Sequence, residues 1–468
     1  MPQPLCFVLM PFGTKPDPTG RPPIDFNRIY EKGIKPAVES AGMVPVRADE
    51  ERTGGIIHKV MFDRLLLCEY AVADMTTANA NVFYELGVRH AARPRTTQPI
   101  YARHQPIPFD VNYLRALSYD LGANNEFGDT EAAALAGALT DRLKQLRENA
   151  VEDAEPDSPL FQLLADWRPG DVAHLKTDMF HEQVMKNEEW RAQMDRARSM
   201  NKADGVRELQ RIEVTLGDLD IHEAGIVVDL MLAYRAQQGW TQMIDIYEKM
   251  PQLLRNQVMV REQLGFALNR RAGDKERTEA DRNADRDRAL KVLQAVEDQQ
   301  GPNPETCGLI GRIYKDLWDT TRRSDAITAR GYFKESLAAY TRGFEADMRD
   351  AYPGINAATL LDVQGSDESK AKRDKLVPVV RFAVEQRLRA KSPDYWDYAT
   401  LVELAVLGND PALAGDCLAS ALTLAKERFM PETTSRNLSL IREFRAARGE
   451  NVAWLDEIIA VLDKKAGN

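Results

Sequence analysis

The stretch YAVADMTTANANVFYELGVRHA, residues 70–91, indicates the class of fold for the first part of the chain. Its opening residues form an apolar run that predicts a buried strand ending at Asp74. A polar loop of Thr and Asn then leads into a helix predicted over residues 82–92. A continuous apolar strand followed directly by a helix is typical of a parallel sheet that is covered on both faces.

The same alternation of strands and helices extends over residues 1–150. Strands are predicted at residues 5–10, 44–48, 70–74, 99–102 and 117–121, and helices at residues 24–41, 56–68, 82–92 and 131–147. This order predicts an α/β domain with a flavodoxin-like parallel sheet. If the strands take the order 2-1-3-4-5, strands one and three flank the point where the strand order reverses, which is where such sheets bind ligands.

The remainder of the chain has a different pattern. The acidic segment VEDAEPDSPL, residues 151–160, carries two prolines and predicts a linker. Beyond it we find amphipathic helices and no convincing strand. Residues 230–251, LMLAYRAQQGWTQMIDIYEKMP, combine small residues, a Gly-Trp turn and a terminal Pro as in a tetratricopeptide unit. Residues 332–347 resemble a second such unit. We therefore predict an all-α tetratricopeptide-like solenoid over residues 161–468.

Charge and composition exclude several classes of partner. The net charge of −10 is uneven, because residues 1–150 hold 17 basic and 18 acidic residues and the rest of the chain holds 45 and 54. An acidic second part argues against nucleic-acid binding, which needs a basic stripe. No apolar run approaches the roughly 18 residues that span a bilayer, so no membrane partner is expected.

The absence of several sequence motifs argues against metal binding and against three classes of nucleotide-binding enzyme. The six histidines show no metal-ligand spacing, so no metal and no cofactor are expected. The chain has no GxGxxG after its first strand and no GxxxxGK[ST], which argues against a nicotinamide dehydrogenase, a P-loop enzyme and a kinase. The cysteines are scattered and predict a reduced, cytoplasmic protein; they are Cys6, Cys68, Cys307 and Cys417.

Candidate site residues lie where the predicted strands end. In an open parallel sheet, ligands bind beyond the carboxyl ends of the strands. The residues predicted at this edge are Phe12, Gly13, Asp49, Asp74, Asn81 and Glu85.

Glu85 is the candidate catalytic carboxylate. It lies near the start of the third predicted helix, whose dipole favours the ionised form. A carboxylate beside an anomeric carbon can stabilise or attack an oxocarbenium-like centre. The alternative is a surface Glu paired with Arg89 one turn later. The alternative for Asp74 is a strand-end residue that organises the loop that follows it, and the alternative for Asn81 is a helix N-cap.

Two stretches together resemble a known enzyme family. CFVLMPFG, residues 6–13, and residues 70–91 are similar to the first strand and the strand–loop–helix segment of nucleoside 2-deoxyribosyltransferases, which lie close to the Toll/interleukin-1 receptor (TIR) fold. The resemblance covers residues 5–103 and implies that Glu85 is the nucleophile on the ribose carbon, with Asp74 at the family's strand-end Asp. The loop reads Asn-Ala-Asn where the family has Asp/Ser-Gly-Thr, so the resemblance does not identify the sugar or the base of the substrate.

A third stretch resembles a regulatory region. AYPGINAATLL, residues 351–361, is similar to the tetratricopeptide-like regulatory segment of the apoptosis signal-regulating kinases. In those kinases a degenerate deoxyribohydrolase-like domain precedes the segment and serves as a scaffold. Bacterial proteins with this layout resemble nucleotide-processing or defence signalling systems.

Two functions follow from these patterns. The first is an N-glycosidase or ribosyl transferase acting on NAD, a nucleotide or a nucleoside, controlled by a protein partner of the helical repeats in bacterial defence or stress signalling. Asp74 and Asn81 would then arrange substrate hydroxyls. The alternative is a non-catalytic signalling scaffold whose α/β domain binds a nucleotide or a protein. Either function is compatible with a homo-oligomer.

Overall fold

The computed structural model describes residues 3–47, 57–108, 111, 115–148, 156–164, 166–167, 177–389, 393–425 and 428–467. The chain forms two compact units. Unit 1 comprises Met1–Gly239 and Lys249–Gln257, and unit 2 comprises Trp240–Glu248 and Val258–Asn468. The linker predicted at residues 151–160 stays a prediction, and residues 151–155 lie outside the described residues.

All described strands belong to the first part of the chain. They are β1 (Leu5–Leu9), β2 (Thr14–Lys15), β3 (Ile24–Asp25), β4 (Val44–Arg47), β5 (Tyr70–Asp74), β6 (Thr97–Ala102) and β7 (Leu117–Tyr119). The helices up to residue 216 are α1 (Phe26–Ile29), α2 (Lys35–Ser40), α3 (Ile57–Leu67), α4 (Ala80–Ala92), α5 (Asp129–Glu148), α6 (Pro159–Leu163), α7 (Thr177–Arg198) and α8 (Lys202–Leu216). A π-helical turn, Tyr30–Ile34, joins α1 to α2.

The later helices complete the chain. They are α9 (Ala224–Ala236), α10 (Trp240–Lys249), α11 (Gln252–Arg255), α12 (Val258–Arg271), α13 (Glu279–Gln300), α14 (Pro304–Thr321), α15 (Ala326–Ala346), α16 (Ala351–Gln364), α17 (Asp367–Arg389), α18 (Tyr395–Leu407), α19 (Pro411–Leu424), α20 (Phe429–Ala447) and α21 (Ala453–Ala466). The prediction of helices alone in the second part is thus confirmed for the described residues. Of these helices, none is both long enough and apolar enough to cross a bilayer.

A five-stranded parallel sheet forms the centre of unit 1. Its strand order is β4-β1-β5-β6-β7, which corresponds to the order 2-1-3-4-5 for the five predicted strands. The predicted parallel sheet is therefore confirmed. The short antiparallel pair of β2 and β3 was not predicted, because its two-residue strands are too short to give a periodic pattern.

Strand β1 lies between β4 and β5, and the packing on its two sides explains why its sequence is continuously apolar. Successive side chains of a strand point to opposite faces. Cys6 and Val8 pack in one core with residues of α1, α2 and α5. Leu5, Phe7 and Leu9 pack in another core with residues of α3 and α4. Both faces of the sheet are thus covered, and neither face of β1 can carry a polar side chain without a buried partner.

Unit 2 is built from consecutive helices that pack in pairs. The pairs are α12 with α13, α14 with α15, α16 with α17, α18 with α19 and α20 with α21. Glycines allow close approach at several of these crossings. A Cβ atom added to Gly265 would lie 2.8 Å from Leu293, and one added to Gly354 would lie 2.6 Å from Val380. Small residues at helix crossings are one of the three features, with a Gly at the turn and a terminal Pro, that predict a tetratricopeptide-like array.

Helix α15 offers a matched pair of glycines that tests this packing. A Cβ at Gly343 would lie 2.9 Å from Cys307, whereas one at Gly331 would meet nothing within 4 Å. We expect Gly343→Ala to lower the free energy of unfolding by about 1–3 kcal/mol through overpacking. Gly331→Ala should be neutral or raise it by up to about 1 kcal/mol, because Ala favours helix. Urea unfolding monitored by circular dichroism measures both, and equal effects would contradict the packing argument.

Candidate functional site

Asp74, predicted to bind substrate hydroxyls, is completely buried at the carboxyl end of β5. Its Oδ1 accepts hydrogen bonds from the amide (3.1 Å) and the hydroxyl (2.6 Å) of Thr76. Its Oδ2 accepts one from the hydroxyl of Tyr119 (2.8 Å) on β7. The Thr76 hydroxyl oxygen accepts in turn from the amide of Ala102 at the end of β6 (2.9 Å). This network therefore fastens the ends of three strands together.

The environment of Asp74 changes its protonation. Burial raises the pKa of Asp74 to about 6, although the hydrogen bonds from Thr76 and Tyr119 act in the opposite direction. The carboxyl group consequently holds its proton to a higher pH than an exposed aspartate does.

Glu85, the predicted catalytic carboxylate, is half-buried in the second turn of α4. Its predicted alternative partner, Arg89, is completely buried. Two nitrogens of the Arg89 guanidinium donate to carbonyl oxygens at and beyond the end of α3: Nη1 to Leu65 (2.8 Å) and Cys68 (2.7 Å), and Nη2 to Glu69 (3.0 Å). Arg89 thus satisfies the carbonyl groups that every helix leaves free at its C-terminus.

The start of α4 lies two residues earlier than predicted. The N-cap is Asn79, whose side-chain oxygen accepts from the amides of Asn81 (3.0 Å) and Val82 (3.4 Å). The N-cap role considered for Asn81 is therefore wrong, because Asn79 is the residue with the extended backbone that the position requires. The side chain of Asn81 is exposed. Asp49 lies outside the described residues.

Phe12 and Gly13 lie in a corner organised by Arg47, which sequence reasoning missed. The Arg47 guanidinium lies over the rings of Phe12 (4.4 Å to the centroid) and Tyr30 (4.6 Å). It donates to the side-chain oxygen of Asn27 (2.6 Å), which also accepts from the amide of Gly13 (3.2 Å). Gly13 has a φ of +63°, a conformation that favours glycine. The corner holds one cation against two aromatic rings at the carboxyl end of β4.

A cavity of about 800 Å³ lies within unit 2, and we call it the α17 pocket. It forms where α17 passes the turns that follow α18 and α20. Its lining residues are Lys370, Arg373, Asp374, Val377, Pro378, Leu407, Gly408, Asn409, Arg445, Glu450 and Asn451. The sequence contained one signal for it, since α17 holds seven Lys and Arg but only four Asp and Glu in an acidic part of the chain.

A buried ionic cluster lies beside the α17 pocket. Asp362 on α16 is 1% exposed and accepts from Nε (2.9 Å) and Nη2 (2.8 Å) of Arg445. Arg373 donates to the same carboxylate, and Arg448 lies 3.6 Å from it. Burial opposes the ionisation of Asp362, but the hydrogen bonds and charges of Arg445 and Arg373 outweigh it and hold the pKa of Asp362 below its usual value.

Arg445 also connects this cluster to the end of α18. Its Nη1 donates to the carbonyl oxygen of Val406 (2.9 Å), and its Nη2 donates to that of Leu407 (3.1 Å). These are carbonyl groups of the last turn of a helix, which have no partner within the helix itself. The cluster therefore fixes one wall of the α17 pocket as well as its charge.

The fold and these sites define a two-part protein, in which a parallel α/β sheet precedes an array of paired helices with a charged pocket. The family model described as "MAP3K TRAFs-binding domain" matches residues 82–460, and the chain belongs to this family.

Relatives among known proteins agree with this assignment. The chain is 27% identical over 273 residues to mitogen-activated protein kinase kinase kinase 15 of Mus musculus, covering 55% of this chain and 19% of that protein. It is 26% identical over 368 residues to mitogen-activated protein kinase kinase kinase nsy-1 of Caenorhabditis elegans, covering 74% and 21%. The chain thus spans about a fifth of the length of these relatives.

Solved structures give more distant similarity. A tetratricopeptide repeat protein from Parabacteroides merdae is 11% identical with a TM-score of 0.34, covering 62% of this chain and 99% of that one. The complex "TPR2AB-domain:pHSP90-complex of yeast Sti1" contains a chain that is 12% identical with a TM-score of 0.19, covering 61% and 99%.

These comparisons correct the predicted function. The prediction of an N-glycosidase or ribosyl transferase acting on NAD, a nucleotide or a nucleoside is wrong, because the family is a binding domain and the matched relatives are kinases. The resemblance of the helical part to the regulatory segment of the apoptosis signal-regulating kinases is confirmed. The resemblance of residues 5–103 to nucleoside 2-deoxyribosyltransferases and TIR domains is not supported.

The raised pKa of Asp74 predicts a pH dependence of stability. Because the folded state binds the proton more tightly than the unfolded state, this group's contribution to the free energy of unfolding falls as the pH rises from about 4 to about 6. In Asp74→Asn that fall should be smaller by about 3 kcal/mol, at 1.36 kcal/mol for each pKa unit. Urea unfolding between pH 4 and pH 7 measures it. The exposed Asp141→Asn variant is the control, and identical slopes in all three proteins would contradict the prediction.

The cluster around Asp362 predicts a large effect on unit 2. Asp362→Asn should lower the free energy of unfolding at pH 7 by about 3–5 kcal/mol, because it leaves buried arginines without their counter-charge. Glu368→Gln on α17 removes a carboxylate from an exposed pair with Lys372 and should have little effect. Thermal and urea unfolding compare the two variants. A neutral Asp362→Asn would show that the arginines are satisfied without the carboxylate.

Proposed function

We propose that this chain is a non-catalytic regulatory module that binds a protein partner in kinase signalling. The observation that carries the proposal is the family match over residues 82–460, which takes in the helical part up to the first half of α21. The family's description names TRAF proteins, and we propose a TRAF-type adaptor as the partner. The matched relatives are kinases of one class, which supports a role in regulating a kinase.

In this proposal the α/β unit is a platform rather than a catalytic domain. Its sheet would keep a flavodoxin-like arrangement, with Asp74 holding the strand ends and not a substrate. Support comes from the hydrogen bonds that occupy both oxygens of Asp74 and from its complete burial. Glu85, Asn81, Phe12 and Gly13 would then shape the surface at the carboxyl edge of the sheet without catalysing a reaction.

The helical part is the proposed binding region. Arrays of paired helices present extended surfaces that usually bind peptides or protein segments. The α17 pocket supports this, since a cavity of about 800 Å³ with apolar and charged walls is of the size that ligand sites have. The described cysteines are all free and buried, and the cytoplasmic location predicted from them belongs to this proposal.

Binding to a TRAF domain tests the proposed function. We expect the full chain, immobilised for biolayer interferometry, to bind a purified TRAF domain saturably, with a Kd in the range of about 1–100 μM that is usual for transient signalling contacts. The same chain inactivated by urea serves as the control.

Two outcomes would contradict the proposal. One is the absence of saturable binding to the TRAF domain. The other is release of base from NAD or a nucleotide by the same sample, abolished by Glu85→Gln, since a scaffold has no such activity.

A further inference from the structure

The α17 pocket combines apolar and cationic walls. Val377, Pro378 and Leu407 supply apolar surface, while Lys370 and Arg373 supply cations. Such a combination suits a ligand that carries both an apolar side chain and negative charge.

The charges of the pocket do not cancel. Arg373 donates to Asp374 from Nε (3.0 Å) and Nη2 (2.8 Å) as well as to the buried Asp362. Arg448 donates from Nε to Glu450 (2.7 Å). Among the described residues, the basic side chains of α17 that form ion pairs are Lys372, Arg373 and Arg387, and Lys370 is not one of them. The wall therefore keeps a cation at Lys370 that a ligand's carboxylate can neutralise.

Helix α17 extends the apolar surface beyond the pocket. Pro378 lies inside the helix, so the carbonyl oxygen of Asp374 lacks its usual amide partner four residues later. Immediately after it, Val379 is 38% and Phe382 is 61% exposed. A chain lying along α17 could thus cover these apolar side chains.

We propose that the α17 pocket binds an acidic peptide segment of a protein partner, with an apolar side chain against Val377, Pro378 and Leu407 and a carboxylate facing Lys370. This inference rests on the proposed function and narrows the chemistry of its partner. Nucleic acid and anionic membranes are disfavoured, because they would bring extended negative charge to a part of the chain that holds 54 acidic and 45 basic residues. A short acidic peptide needs only the cation at Lys370 to neutralise its carboxylate.

Fluorescence anisotropy tests this assignment with defined peptides. The full chain is titrated into fluorescein-labelled Glu-Glu-Leu-Glu-Glu-Leu and, separately, into the counterpart with Lys in place of each Glu. We expect saturable binding of the acidic peptide alone. Lys370→Glu should weaken that binding by about tenfold, because it places like charges together. Lys375→Glu makes the same change at an exposed position of α17 outside the pocket lining and should change the Kd by less than about twofold.

The outcomes separate this inference from the proposed function. Equal affinity for both peptides, or equal affinity of the two variants for the acidic peptide, would overturn the assignment of the pocket. The assignment would also be overturned if phosphatidylserine vesicles or single-stranded RNA bound in a Lys370-dependent manner while the acidic peptide did not bind. If the TRAF domain still binds in those cases, the proposed function stands and only the pocket assignment falls. Weakened TRAF-domain binding in Lys370→Glu but not in Lys375→Glu would support both.

Discussion

Unit 2 depends on one buried carboxylate. Asp362 lies on α16, a helix with twelve of its fourteen residues buried, and an ionised group there must be paired to be tolerated. Arg373 from α17 and Arg445 from α20 supply that pairing, and Arg445 reaches further to the last carbonyl groups of α18. One interaction therefore sets the position of four helices and also supplies a wall of the α17 pocket.

Unit 1 also contains buried ionisable side chains that need hydrogen-bond partners, and they lie beside its parallel sheet. The buried Arg89 guanidinium donates to carbonyl oxygens at and beyond the end of α3, whereas the buried Asp74 carboxylate accepts from hydroxyl and amide donors. Both groups are satisfied within the protein, as buried polar groups must be. The same donors that stabilise the sheet edge also remove Asp74 from contact with solvent.

There is a physical reason why an enzymatic function was wrongly predicted. Every open parallel sheet brings its strand ends and the following helix starts to one edge, so a carboxylate near that edge is a consequence of the fold and not by itself of catalysis. Glu85 was predicted to be catalytic because its helix follows the end of a strand and because residues 70–91 resemble nucleoside 2-deoxyribosyltransferases. The family match over residues 82–460 assigns the chain to a binding-domain family, which agrees with the protein partner predicted for the helical repeats and not with the predicted enzyme.

The sequence alone determined the parallel sheet and the change to helices, because strand and helix periodicities are local: the apolar run of β1 and the strand–loop–helix stretch at residues 70–91 each span adjacent residues. It also predicted that Asp74 ends a strand, and Asp74 is the last residue of β5. Only the tertiary structure decided what those side chains contact and that Asp362 meets Arg445, which lies 83 residues away. Neither residue carries a local signal of the other, because pairing between distant helices depends on how the chain packs and not on the pattern around either residue.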